Sequence, residues 1–234
     1  MTAENSMEAA KSAVLQAALA HVPFEGWSAA TLRAAMTDSG VAPQLAPALF
    51  PRGVVDLALA YHQAGDVAMQ ERLAATDLAA MRYRDRVAAG VRYRLEACDD
   101  KEVVRRGSAF FALPQHAADG VRAIWGTADA IWRALGDTST DLNWYSKRAT
   151  LSAVYSATVL FWLGDDSPGH HATWDFLDRR IENVMQIEKM KAGLRENPIS
   201  KALMAGPAKF LDRVKAPVTP DDLPGFMHMG KPRN

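Results

Sequence analysis

The stretch Ser139–Gly164, STDLNWYSKRATLSAVYSATVLFWLG, decides how the rest of the chain is read. Ser139, Thr140 and Asp141 can each accept hydrogen bonds from the free N–H groups of a helix start, and Asp141 also suits its positive end. From Lys147 onward no glycine, proline or charge other than Arg148 interrupts the run until Gly164, a natural stop. Leu142, Tyr145, Ala149, Ala153 and Leu160 fall on one face, and Trp144, Arg148, Leu151, Tyr155 and Trp162 on another. A helix apolar around most of its circumference is expected at the centre of a bundle, packed on several sides. Its first turn differs: Asp141, Asn143, Trp144, Tyr145, Lys147 and Arg148 mix large aromatics with charges, as interfaces do. Trp144 thus has two readings, an aromatic packed inside the fold or an anchor for a partner.

Working outward, Val121, Ile124, Trp125, Ala128, Ile131, Trp132 and Leu135 form a clean stripe of 3.6-residue period, broken by Gly136-Asp137. Beyond the loop Asp165–Gly169 a further helix carries Trp174, Leu177, Ile181, Val184 and Met185. On the N-terminal side, Val103, Phe110 and Phe111 mark a short helix ending at Pro114. Before it, Asp77 is expected to cap a helix striped by Tyr83, Val87, Val91 and Leu95. Arg82, Arg84, Arg86, Arg92 and Arg94 flank that stripe, either as an anion-binding face or as a solvated face whose stems cover apolar surface. A long helix from Val54 into the seventies carries Leu57, Tyr61 and Leu73, with Gly65 a weak spot. Alternating β-branched runs and repeats of 20 to 50 residues are missing, so the fold class is all-α.

The first fifty residues read as three short helices. Asn5 and Glu8 look like a capping pair for a helix to Val22, ended by Pro23. Ser28 caps a second, with Leu32, Ala35 and Met36, and Pro43 opens a third that carries Leu45 and Leu49. Helix, glycine turn, short helix, then Phe50-Pro51 before a long helix is the order of the tetracycline-repressor DNA-binding module, whose second short helix reads the major groove. Base and phosphate contacts need polar or cationic side chains. Between Val41 and Pro51 only Gln44 qualifies, so the salt-dependent affinity of a DNA binder has no source here. A helix-turn-helix shape without DNA chemistry is expected, with no nucleic-acid partner.

Composition narrows the classes further. The chain has 234 residues, 49% of them apolar, and 27 Lys and Arg balance 27 Asp and Glu, so bulk charge attracts no polyanion. The single Cys98 precludes an internal disulfide and points to a reducing compartment. The opening residues have neither a secretory core nor an import-type composition, and the uncharged run Ala149–Gly164 falls short of the ~20 residues of a membrane span. No phosphate loop, nucleophile elbow or Glu-x-x-His pair appears. Asp165, Asp166, His170 and His171 match no known metal spacing and read as a loop and helix cap. Cys98 beside Asp99 and Asp100 is a poor nucleophile. No catalytic residue, metal or cofactor is expected. Six Trp, eight Phe and ten Met could instead line an apolar ligand cavity or fill a solid core.

After the bundle, Ile199, Leu203, Phe210, Leu211 and Val214 fall on one side of a helix, with Lys201, Lys209 and Arg213 largely elsewhere. Such a basic amphipathic helix suits a membrane surface, or docks on its own domain or a partner subunit. The expected organisation is a degenerate helix-turn-helix over residues 1–53 and a helical lipid-binding and dimerisation domain over 54–193. An amphipathic helix over 194–216 and a Pro-rich tail over 217–234 complete it.

Several stretches together resemble the ubiquinone-biosynthesis accessory proteins called Coq-nine: AALAHVPFEGWS, IWRALGD, STDLNWYSKR with its following YS, and DDSPG…TWDFLDRRI. The likeness runs from about residue 12 to 190. It implies a tetracycline-repressor-like helical bundle without the regulator role, an apolar pocket for an isoprenoid quinone or other lipid, and a homodimer. It also implies a C-terminal membrane helix and a non-catalytic role beside the di-iron demethoxyubiquinone hydroxylase. Carried over position by position, the hydroxylase-docking residues would be Asp129, Ile131, Trp132, Asp141, Trp144 and Tyr145, with Arg148 a structural partner. The lack of an import sequence fits a bacterial relative, peripheral on the inner membrane. Two alternatives stand beside presentation of a quinone intermediate: a ligand-responsive transcriptional regulator and a general lipid carrier.

Overall fold

The computed structural model describes residues 3–196, and the expected membrane-binding residues Ile199, Lys201, Leu203, Lys209, Phe210, Leu211, Arg213 and Val214 lie outside them. Ten α-helices and no strand occur among the described residues. They are α1 (Ala3–Leu19), α2 (Val22–Glu25), α3 (Ala29–Asp38), α4 (Ala46–Leu49), α5 (Val54–Ala74), α6 (Tyr83–Glu96), α7 (Lys101–Ala112), α8 (Ala117–Ala134), α9 (Leu142–Leu163) and α10 (His171–Glu196).

Two apolar cores are joined by α5. Val14, Ala18, Val22, Ala35, Met36, Leu49 and Phe50 surround its first turns at Leu57 and Ala58. Its last turns bring Met69 and Leu73 against Val91, Leu95, Ile131, Leu151, Tyr155 and Leu177. The α5 helix packs on α6 and α8, α8 on α9, and α9 on α10. Gly90 permits the approach of α6 to α8: a Cβ there would lie 2.8 Å from Ile131 Cγ2.

Local signals explain most boundaries. Ser28 Oγ accepts from Thr31 N at 3.1 Å, Asp100 Oδ1 from Glu102 N at 2.7 Å and Asp141 Oδ1 from Asn143 N at 3.0 Å. The α8 helix closes in a Schellman turn, with Asp137 N donating to Trp132 O and Gly136 N to Arg133 O, both at 3.0 Å. Gly136 takes the positive φ, 75°, that this turn demands.

Three expectations are corrected. Asn5 lies inside α1, where Glu8 pairs with Lys11 at 2.8 Å, and Pro23 starts α2 because proline fits a first turn. Asp77 caps a 3-10 turn at Leu78–Ala80, and α6 begins only at Tyr83. The α9 helix is one-sided: Arg148, Leu151, Tyr155 and Trp162 are buried, whereas Ala149, Ala153 and Leu160 are exposed.

Candidate ligand cavity and docking surface

A cavity of about 350 Å³ opens between α5, α6, α7, α8 and α9. Trp27, Leu95, Val103, Phe111, Ile124 and Val159 supply much of its apolar wall. Val121 and Leu160, 66% and 67% exposed, stand at its mouth. Val121 was expected on a buried stripe. Its helix faces the cavity there instead of a packed neighbour.

The buried end is polar. Arg94, one of the arginine row that flanks the α6 stripe, is 2% exposed. Its Nε donates to Asp66 Oδ1 at 2.7 Å, one Nη to the His62 carbonyl at 3.0 Å and the other to Cys98 Sγ at 3.3 Å. The guanidinium lies over Gly65, where a Cβ would fall 2.5 Å from it. That glycine is therefore a seat for Arg94. Thr127 gives its hydroxyl proton to Asp66 at 2.8 Å, so its oxygen accepts from His62 Nε2, also at 2.8 Å. Burial, reinforced by Arg94, lowers the His62 pKa from 6.5 to about 4 and keeps the ring neutral at neutral pH. Tyr155, 5% exposed, lines the same end, and burial raises its hydroxyl to about 12.

The other arginines of the row are locally balanced, Arg82 by Asp85, Arg84 by Glu182 and Arg92 by Glu96. Arg86 donates to the Met81 carbonyl at 2.9 Å. This is the solvated face of the two readings, with Arg94 its exception.

The α8–α9 turn holds the second candidate site. Arg148, 2% exposed, donates to Asp129 at 2.6 Å, to Asp137 at 3.1 Å and to the Trp144 carbonyl at 3.1 Å. Asp129 also meets Arg133 at 2.9 Å, and Asp137 meets Lys147 at 2.7 Å. Burial works against the ionised Asp137, but hydrogen bonds from Lys147, Ser139 and Arg148 outweigh it and hold the carboxyl near a pKa of about 2. Above this knot the Trp144 ring covers the guanidinium at 4.0 Å and meets Tyr145 edge-on at 4.8 Å, with Trp125 at 6.0 Å from Trp144.

The structure thus gathers Asp141, Trp144 and Tyr145 on one surface, Asp141 exposed and the two aromatics half-buried. Asp129 lies beside it, half-buried and engaged by two arginines. Ile131 and Trp132 are corrections to the docking set. Ile131 is fully buried against α6, and Trp132, 7% exposed, donates its indole N–H to the Lys147 carbonyl at 3.1 Å. Both support the surface from below. A second groove of about 260 Å³ between α6, α9 and α10 runs beneath it, lined in part by Tyr83, Trp132, Lys147 and Ile181.

Sequence reasoning missed the polar end of the cavity. Its one legible trace was a glycine in the middle of α5, whose purpose becomes visible only when Arg94 is placed opposite it. In the loop before α10, Asp165 accepts from Ser167 N, Thr173 N and Thr173 Oγ1, a helix-capping role. No cluster of metal-ligating side chains occurs among the described residues.

The described residues are all-helical and have the fold of the tetracycline-repressor-like proteins. The tetracycline-repressor-family transcriptional regulator from Nitrosomonas europaea aligns with a TM-score of 0.60 at 17% identity, over 74% of this chain and 95% of that one. The likeness establishes the fold. The COQ9 family model matches residues 117–188, from the start of α8 well into α10. The mitochondrial ubiquinone biosynthesis protein COQ9 of Drosophila melanogaster is 31% identical over 189 residues, 79% of this chain and 58% of that protein. The human COQ9 protein is 28% identical, over 78% and 59%, and COQ9-B of Xenopus laevis 28%, over 94% and 75%. Over most of its length the chain is similar to COQ9 proteins. It spans about three fifths of the length of the Drosophila and human proteins.

Proposed function

We propose that the protein acts in ubiquinone biosynthesis as a non-catalytic accessory that binds an isoprenoid-quinone intermediate and presents it to the demethoxyubiquinone hydroxylase. The observation that carries the reading is the cavity of about 350 Å³ with an apolar wall and an exposed apolar mouth. A long-tailed quinone sits in the bilayer, and an apolar recess at the membrane surface lowers the cost of lifting its head group towards a second protein. Among the described residues no helix is long and apolar enough to cross a membrane, so attachment is assigned to the basic amphipathic segment around Ile199–Val214. The hydroxylase is assigned to the surface of Asp141, Trp144 and Tyr145, rigidified by the Arg148 knot beneath. A homodimer would cover the exposed face of α9, where Phe161 stacks on Phe176 of α10 at 4.5 Å.

The regulator alternative finds little support. Gln44 is exposed, but Arg52, the next cation along the chain, is engaged by Asp56 at 2.8 Å and Asp119 at 2.9 Å. Mass spectrometry of lipids extracted from the purified full chain tests the binding step. An isoprenoid quinone should co-purify, and Ser156→Phe, which fills the cavity, should remove it. Recovery of the same lipid from both proteins would rule the cavity out.

A further inference from the structure

We infer that the buried end of the cavity is a head-group site, in which Tyr155 and Arg94 hold a neutral, oxygen-bearing ring while the apolar tail leaves between Val121 and Leu160. This rests on the lipid-cavity reading and assigns the direction in which the ligand enters.

Tyr155 supplies the first observation. It is 5% exposed and lines the cavity, yet none of the hydrogen bonds among the described residues reaches its hydroxyl. The hydroxyl is open to the cavity, so its hydrogen-bonding capacity is available to whatever occupies that space. Arg94 supplies the second. Three of its five N–H groups are engaged, by Asp66, the His62 carbonyl and Cys98, which leaves two donors at a residue that lines the same space. Both residues therefore offer protons to an oxygen.

The charge balance decides which oxygen. Asp66 already neutralises Arg94 at 2.7 Å, and His62 beside it is uncharged. An anionic head, such as the phosphate of a phospholipid, would enter a buried site with no cation to spare and face the Asp66 carboxylate. A quinone carbonyl or a phenol ether takes the hydrogen bonds without bringing charge. Size and shape agree. About 350 Å³ is near the lower end for small-molecule sites, enough for one substituted ring and too small for a polyprenyl tail. Trp27, Tyr61 and Phe111 give that ring aromatic neighbours. The exposed Val121 and Leu160 then offer the tail an apolar path out.

Calorimetric titration of the full chain in one detergent separates the alternatives, using two probes. One is a dimethoxy-methyl-benzoquinone with a decyl tail, and the other is decylbenzene, which keeps ring and tail but lacks the oxygens. The quinone should bind wild type more tightly. Tyr155→Phe, which removes one hydroxyl and leaves the wall intact, should weaken the quinone roughly fivefold, the worth of one hydrogen bond, and leave decylbenzene unchanged. Equal effects on both probes, or none on the quinone, would overturn the head-group site. If both probes bind wild type equally and Ser156→Phe blocks them, the cavity stands and only the head-first orientation falls. If neither binds wild type, the lipid-cavity reading falls with it.

Discussion

Arg94 and Arg148 are both 2% exposed, both project from helices into the bundle, and both are paired with aspartate, yet they sit in opposite kinds of surroundings. Arg148 is enclosed. Two carboxylates share its charge, Trp144 lies over its plane, and a further cation sits on each carboxylate. Arg94 has one carboxylate and borders an open cavity together with a tyrosine whose hydroxyl is unpartnered. A buried charge closed on all sides holds helices in register. One left facing space, with donors unused, is a site in waiting.

The largest effect should follow from breaking the closed knot. Arg148→Ala leaves Asp129 and Asp137 without their shared partner, at a cost of about 3–5 kcal/mol. For a chain of this size that lowers Tm by about 10 °C, measured by thermal unfolding. A variant that melts within a degree or two of wild type would show that the knot is not structural.

A smaller effect should come from the seat of Arg94. Helix propensity alone makes Gly65→Ala a gain of about 1 kcal/mol. Because the new Cβ would lie 2.5 Å from the guanidinium, Arg94 must leave Asp66, and a net loss of about 1–2 kcal/mol is expected in denaturant unfolding. A stabilised variant would show that Arg94 is free to move.

The two regions should also respond to acid in different windows. His62, depressed to about 4, takes up its proton in the unfolded chain first, so stability should decline as pH falls from about 6.5 to about 4. His62→Gln should flatten that slope. Asp137, depressed to about 2, stabilises the fold fully above its ordinary value of 3.8 and loses that contribution only as pH falls from there towards 2. Unfolding titrations of wild type and His62→Gln across pH 2–7 check both windows.

Much of the fold was legible in the chain. The caps at Ser28 and Asp141, the stop after α8 at Gly136 and the stripes of α6 and α8 depend on neighbours a few residues away, which sequence displays directly. The start of α6 was less so, because Asp77 is a good cap whose 3-10 turn competes with the helix it was expected to open. The proposed docking surface was half legible. The aromatics of STDLNWY announce a special first turn, but the inward direction of Ile131 and Trp132 depends on Gly90 and on α6. The polar end of the cavity left only one trace, Gly65, and its partners could not be read. Arg94, Asp66, His62 and Tyr155 come from three helices up to about ninety residues apart, and each alone looks like a residue on a helix face.

The proposed presentation role meets its most direct test in one assay: hydroxylase turnover on vesicles that carry the demethoxy quinone, with wild-type protein or Trp144→Ala added. Truncating a half-buried aromatic anchor should cost about 2 kcal/mol or more in partner binding. Wild type should raise turnover, and Trp144→Ala should lose most of that gain while still yielding the same co-purified lipid. Equal stimulation by both proteins, or none by wild type, would contradict the account.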